Sequence, residues 1–95
     1  MYNIFVKYTC KEGKREGFVD SLNRAGIVEA IRAEAGCVRY DYYFSEKDEN
    51  ELLLVEAWEK KEDQQLHMTQ PHMSELKKYS AECIADVKLG EFELL

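Results

Sequence analysis

Residues 37–59 read CVRYDYYFSEKDENELLLVEAWE. The first eight are crowded with β-branched and aromatic side chains, and alternation puts Val38, Tyr40, Tyr42 and Phe44 on one face. SEKDEN is a polar turn. ELLLVEAWE then resumes as a strand that is apolar on both sides, with Leu52, Leu54 and Trp58 against Leu53, Val55 and Ala57. Two such runs around a short polar connection predict an antiparallel hairpin.

Toward the N-terminus, Tyr2–Thr9 alternates with Tyr2, Ile4, Val6 and Tyr8 on one face, which is a strand's period of two. After a turn at Lys11–Gly13, REGFVDSLNRAGIVEAIRAE repeats Phe18, Leu22, Ile27, Val28 and Ile31 at roughly helical spacing. Gly26 bends or weakens that helix at a cost of about 1 kcal/mol relative to alanine, and Gly36 supplies its stop signal. Beyond the hairpin, KKEDQQLHM is polar and helix-forming, and the chain pauses at Thr69-Gln70-Pro71. Proline fits the first turn of a new helix, so HMSELKKYSAEC continues as helix, with His72, Leu76, Tyr79 and Cys83 along one side. IADVKLGEFELL closes as a strand.

The order is βαββαβ, the ferredoxin-like α+β arrangement of one antiparallel sheet with its helices on one face, in a single domain spanning residues 1–95. Phe5, Leu53 and Val55 make the other face too apolar to be left to water. A chain of 95 residues buries only ~60–65% of its unfolded surface. A homodimer pairing two such sheets, a dimeric α+β barrel, is therefore expected.

A formal charge of −6, with acidic groups spread along the chain, leaves no basic stripe for nucleic acid. The opening MYNIFVKYT meets Lys7 too soon for a leader's apolar core or a membrane span, so the expectation is a cytoplasmic protein with no membrane partner. Cys10, Cys37 and Cys83 are odd in number and widely spaced, which suits reduced thiols better than a disulfide framework or a zinc cluster.

Residues 66–73, LHMTQPHM, hold both histidines on either side of the only proline. Helical metal ligands sit at i,i+3 or i,i+4, whereas His67 and His72 are five apart, so a shared ion would require the break to realign the two rings; no metal is expected. Neither GxGxxG nor GxxxxGK[ST] occurs, and no organic cofactor is expected either. What remains is general-base chemistry. A histidine titrating near pH 6.5 accepts a proton at neutral pH, and Glu56, on the same strand face as Trp58, is the carboxylate expected to hold its tautomer. The duller reading is a helix boundary with two surface histidines, His67 partly exposed, Trp58 in the core, and Tyr40 and Tyr42 as sheet aromatics.

EAGCVRYDYY, VEAWE and HMTQPHMSEL, together with the βαββαβ order and the length, resemble the antibiotic biosynthesis monooxygenase superfamily of small dimeric α+β-barrel proteins, particularly its quinol-monooxygenase-like branch. The likeness spans nearly the whole chain. Its most specific element is the spacing of Trp58, His67 and Pro71-His72-Met73. The resemblance implies a pocket between sheet and helices and oxygenation of a phenol, quinol or anthrone by O2 without metal or flavin. It places Trp58 and His67 in the catalytic role, with Asn3, Glu56, His72 and Tyr42 as candidates for binding substrate. Asn3 matches a strand-one asparagine of some haem-degrading relatives. Two alternatives stand beside it: an isomerase of a small phosphorylated diketone, for which Arg39 and Lys7 are the candidate phosphate anchors, and a non-catalytic small-molecule binder of the same fold.

Overall fold

The computed structural model describes residues 1–95. Four strands, β1 (Tyr2–Cys10), β2 (Cys37–Phe44), β3 (Glu51–Trp58) and β4 (Ile84–Phe92), form one antiparallel sheet in the order β2-β3-β1-β4. Its helices are α1 (Arg15–Arg24), α2 (Ile27–Arg32), α3 (Lys61–His67) and α4 (Pro71–Cys83). The predicted ferredoxin-like topology holds, but each helical connection is split in two. Gly26 separates α1 from α2 by adopting φ +76°, a left-handed conformation that costs a glycine little and ends the first helix rather than bending it. Pro71 separates α3 from α4, starting the second helix where its missing N–H is not needed.

Alternation along the strands decides what each face does. Ile4, Val6, Tyr8, Leu52, Leu54 and Trp58 are buried on the helix side, and all but Ile4 belong to one core with Phe18 and Leu22 of α1, Val28 and Ile31 of α2, and Met73 and Leu76 of α4. The buried stripe of α4 is thus Met73 and Leu76, while His72, expected on that stripe, is only half-buried. Val38 departs from the predicted alternation in β2. The pairing shifts between Cys37 and Arg39, so Val38 is bulged out and exposed, and Cys37, Tyr40 and Tyr42 share the helix-side face. The opposite face carries Asn3, Phe5 and Lys7 of β1 beside Leu53, Val55 and Ala57 of β3, and no helix lies over it. There the Phe5 ring rests on Gly90, where a Cβ would come within 2.9 Å of it. No helix is long and apolar enough to cross a membrane. All three cysteines are free thiols.

Candidate active site

The start of β2, the end of β3 and the α3–α4 break meet at one end of the sheet. The turn that follows α2 is closed by Glu34 N–H donating to the Ile31 carbonyl and Cys37 N–H donating to that of Glu34. Gly36 in this turn has φ +82°, a conformation that favours glycine, and a Cβ there would run into the Asp63 side chain of α3. Asp63 in turn accepts from the Lys60 backbone N–H at the start of α3. Glu34 is thereby held facing the last residue of α3 and the first turn of α4.

Both histidines converge on it. His67 Nδ1 lies 2.8 Å and His72 Nε2 2.7 Å from the same oxygen, Glu34 Oε2. The break at Pro71 therefore does realign the rings, which spacing alone argued against. His67 ends α3 and Gln70 N–H caps its carbonyl; two residues on from Gln70, His72 reaches back from the opposite side. With an ionised Glu34 each ring donates its N–H, so His67 holds its proton on Nδ1 and presents a bare Nε2.

The surroundings of His67 are aromatic. Its ring lies 4.8 Å from that of Trp58 at 35° and 5.9 Å from that of Tyr40, edge-on. It is 1% exposed, and Trp58 and Tyr40 are equally enclosed, which corrects the expectation of a partly exposed helical histidine. Glu56 is not its partner. The Glu56 carboxylate instead accepts from Trp58 Nε1 at 3.0 Å, fixing the indole. Burial pushes the Glu56 carboxyl above the usual carboxylate value, opposed by that hydrogen bond and by the charge His67 can carry.

Tyr42 lies next along β2, its ring 5.8 Å from that of Tyr40. Its hydroxyl is buried beside that of Tyr40 without a well-aligned hydrogen bond, and burial raises its pKa well beyond the ordinary tyrosine value. A buried donor held so loosely in a row of aromatic rings is one that a bound oxygenated ligand would satisfy. The space between sheet and helices is otherwise filled here by side chains, in place of the pocket that the resemblance implies.

Three sequence candidates lie elsewhere. Asn3 is on the helix-free face, where it pairs with Ala57 and Phe92 across the sheet, so it does not meet His67. Lys7 is on that face too, paired with Glu51 at 2.9 Å. Arg39 is occupied by Asp41 and the Tyr43 hydroxyl. The residue that sequence reasoning missed is Glu34. It stands at the head of the quoted EAGCVRYDYY, 33 positions before His67, and no periodicity links a turn carboxylate to a helix end that distant.

With this geometry in hand, the relatives are informative. The antibiotic biosynthesis monooxygenase family profile matches residues 1–79, which include every residue of this site. The uncharacterized protein sll1783 of Synechocystis is 29% identical over 75 residues, 79% of this chain and 50% of its own length, so the chain spans about half of that relative. A Nitrosomonas europaea protein named for the antibiotic biosynthesis monooxygenases superposes with a TM-score of 0.86 at 26% identity, covering 100% of this chain and 99% of that one. PA3566 of Pseudomonas aeruginosa shares the fold at a TM-score of 0.84 and 22% identity, with 99% and 93% of the two chains covered. Rv0793 of Mycobacterium tuberculosis does so at 0.80 and 23%, with 99% and 94% covered. The chain belongs to the antibiotic biosynthesis monooxygenase family.

Proposed function

We propose that the protein is a monooxygenase that oxidises a small phenolic or quinol-type aromatic with O2, without a metal or flavin, and that His67 is its general base. The observation that carries this reading is the Glu34–His67 hydrogen bond of 2.8 Å beneath the Trp58 ring. Glu34 accepts the hydrogen bond from Nδ1–H, so the Nε2 lone pair is available to a phenolic hydroxyl, and the imidazolium that forms is stabilised by the same carboxylate.

The chemistry closes on substrate and oxygen alone. His67 removes the phenolic proton, and the phenolate passes one electron to O2 to give a phenoxyl radical and superoxide. These combine at a ring carbon to form a peroxide. Loss of water, with the proton returned from His67 and the hydrogen of that carbon, leaves a quinone. One oxygen atom enters the ring, the other leaves as water, and the substrate supplies both electrons. Trp58 offers a stacking face, and the Tyr42 hydroxyl, beside that of Tyr40, is the donor for the substrate's second oxygen. His67 is enclosed, so substrate reaches its Nε2 only through a rearrangement of the side chains around it.

The isomerase alternative is less well supported, since Lys7 and Arg39 are paired with other groups on the helix-free face, away from His67. We also assign the protein a homodimeric assembly through that face, where Phe5, Leu53, Val55 and Phe92 form an apolar strip without a helix over it. Oxygen uptake on a panel of hydroquinones tests the reaction. Uptake matched by a hydroxylated quinone carrying one oxygen atom from labelled O2 is expected; a panel giving no uptake, quinone and hydrogen peroxide without insertion, or uptake unchanged in His67→Asn, would sink the assignment. Sedimentation giving only monomer at micromolar concentration would remove the dimer.

A further inference from the structure

We propose that Glu34, His67 and His72 form a three-donor site for a first-row divalent cation, and that an ion bound there silences the base. The donor set stands on geometry alone, whereas the silencing rests on the reading of His67 as the base. The three donor atoms come from the turn after α2, the end of α3 and the start of α4, and all lie within 4.8 Å of one another. Both nitrogens address a single oxygen, at 2.8 and 2.7 Å. A cation about 2.0–2.1 Å from nitrogen and oxygen ligands needs them separated by about 2.9–3.4 Å at octahedral or tetrahedral angles. The two contacts to Glu34 lie just below that range, and the two nitrogens lie within 4.8 Å of each other, so an ion replaces the bridging protons when the rings draw back slightly from the carboxylate and close toward one another.

The donor set also chooses the class of ion. Two imidazoles and one carboxylate suit zinc, cobalt or ferrous iron, whereas calcium and magnesium take oxygen-rich sets. Glu34 contributes one negative charge against the ion's two positive charges, and Glu56 stands close enough to act on His67 and Glu34 electrostatically. Access comes from one side: the His72 side chain is 22% exposed, against 2% for His67 and 11% for Glu34.

The consequence for the base follows from proton counting. A neutral imidazole has one proton and one lone pair. If the ion takes the lone pair on Nδ1 of His67, the proton must sit on Nε2, the atom that a base needs bare. Metal and substrate proton therefore exclude each other at this histidine.

The test uses metal-free, full-length protein titrated with Co2+, followed by equilibrium dialysis and visible spectroscopy. One Co2+ per chain is expected, with d–d bands and no thiolate-to-metal charge transfer. His72→Ala, at the half-exposed ligand, and Glu34→Gln should each weaken binding by more than the ~10–100-fold that a group behind a ligand is worth, with melting curves to confirm folding. Should Glu34→Gln fail to fold, His72→Ala decides. No stoichiometric binding, binding unchanged in His72→Ala, or a thiolate band would overturn the site. A second arm adds one equivalent of Zn2+ to protein that consumes oxygen on a hydroquinone. Suppressed uptake supports the silencing; unchanged or faster uptake with zinc bound overturns that part. The binding arm needs no substrate, so it stands or falls separately from the oxygenase reading.

Discussion

A charged group is packed against each end of the β2–β3 hairpin, Arg15 buried and Glu34 partly so, and the two are satisfied in different ways. At the turn end, Arg15 Nη1 donates to the carbonyls of Ser45, Asp48 and Glu51, its side chain pairs with Glu16, and its guanidinium lies 4.7 Å over the Phe44 ring. At the opposite end, Glu34 is held by two imidazoles. Backbone carbonyls cannot change their protonation state, the arginine is always charged, and its guanidinium holds the Glu16 carboxyl below the usual carboxylate value, so near neutral pH the first cluster has one state and serves as a clamp. Every member of the second can gain or lose a proton. A buried charge fixed by groups that do not titrate reads as structure; one fixed by groups that do reads as chemistry.

The comparison is broken most directly at His67. His67→Asn keeps a side-chain N–H close to where Nδ1 stands, and so keeps the bond to Glu34, but offers no basic nitrogen. Turnover on an accepted hydroquinone should fall by ~10²–10⁴, the usual worth of a positioned acid–base group, while the melting temperature stays near that of the wild type. The alanine variant is the poorer probe, because a ring that is 1% exposed and stacked on Trp58 leaves a cavity behind. Arg15→Ala should do the reverse. It strands three carbonyls at the hairpin turn, so the melting temperature drops by several degrees while oxygen uptake per folded molecule is retained. A loss of turnover in folded Arg15→Ala would mean that the two ends are not separate.

Between these extremes lies Trp58→Phe. Phenylalanine keeps a face for His67 and substrate but removes the indole N–H from Glu56, so stability should fall by about 1–3 kcal/mol, the cost of an unsatisfied buried group. Substrate should bind more weakly, with a smaller loss of rate than in His67→Asn. Urea denaturation and steady-state kinetics on the same samples separate the two effects.

The sequence carries these two ends unequally. Strand alternation located the sheet, its two faces and the side on which Trp58 and Glu56 sit, because period two is a local property. Helix continuity was harder to read: spacing ran through Gly26, where one left-handed residue divides α1 from α2. The bulge at Val38 left no local mark either. The choice of Glu56 as the carboxylate behind His67 relied on nearness in sequence, and tertiary structure supplied Glu34 instead. His67 was legible as a site residue through the resemblance, but its enclosure was not, since burial depends on how α3 and α4 close over β3. Asn3 shows the converse, a motif match on a strand whose alternation turns it to the other face.

The smallest expected effect concerns Glu56, the buried carboxyl at the site end, whose hydrogen-bond partner cannot titrate. Burial raises its pKa in the folded protein above the usual value of 4.5, despite the Trp58 hydrogen bond. The folded state therefore binds more protons than the unfolded chain between the usual value and the raised one. Its contribution to stability is fully present below the usual carboxylate value and is lost as pH rises through the folded pKa. Glu56→Gln retains a carbonyl oxygen for the indole N–H and has no charge to desolvate. The stability of Glu56→Gln relative to wild type should therefore improve from pH 4 to pH 7, as read by urea denaturation at both values. A difference that shrinks over that range would show the carboxylate form to be the stabilised one, drawn down by a protonated His67. Glu56 would then belong with the titrating cluster around Glu34 and not with the fixed framework that holds Trp58.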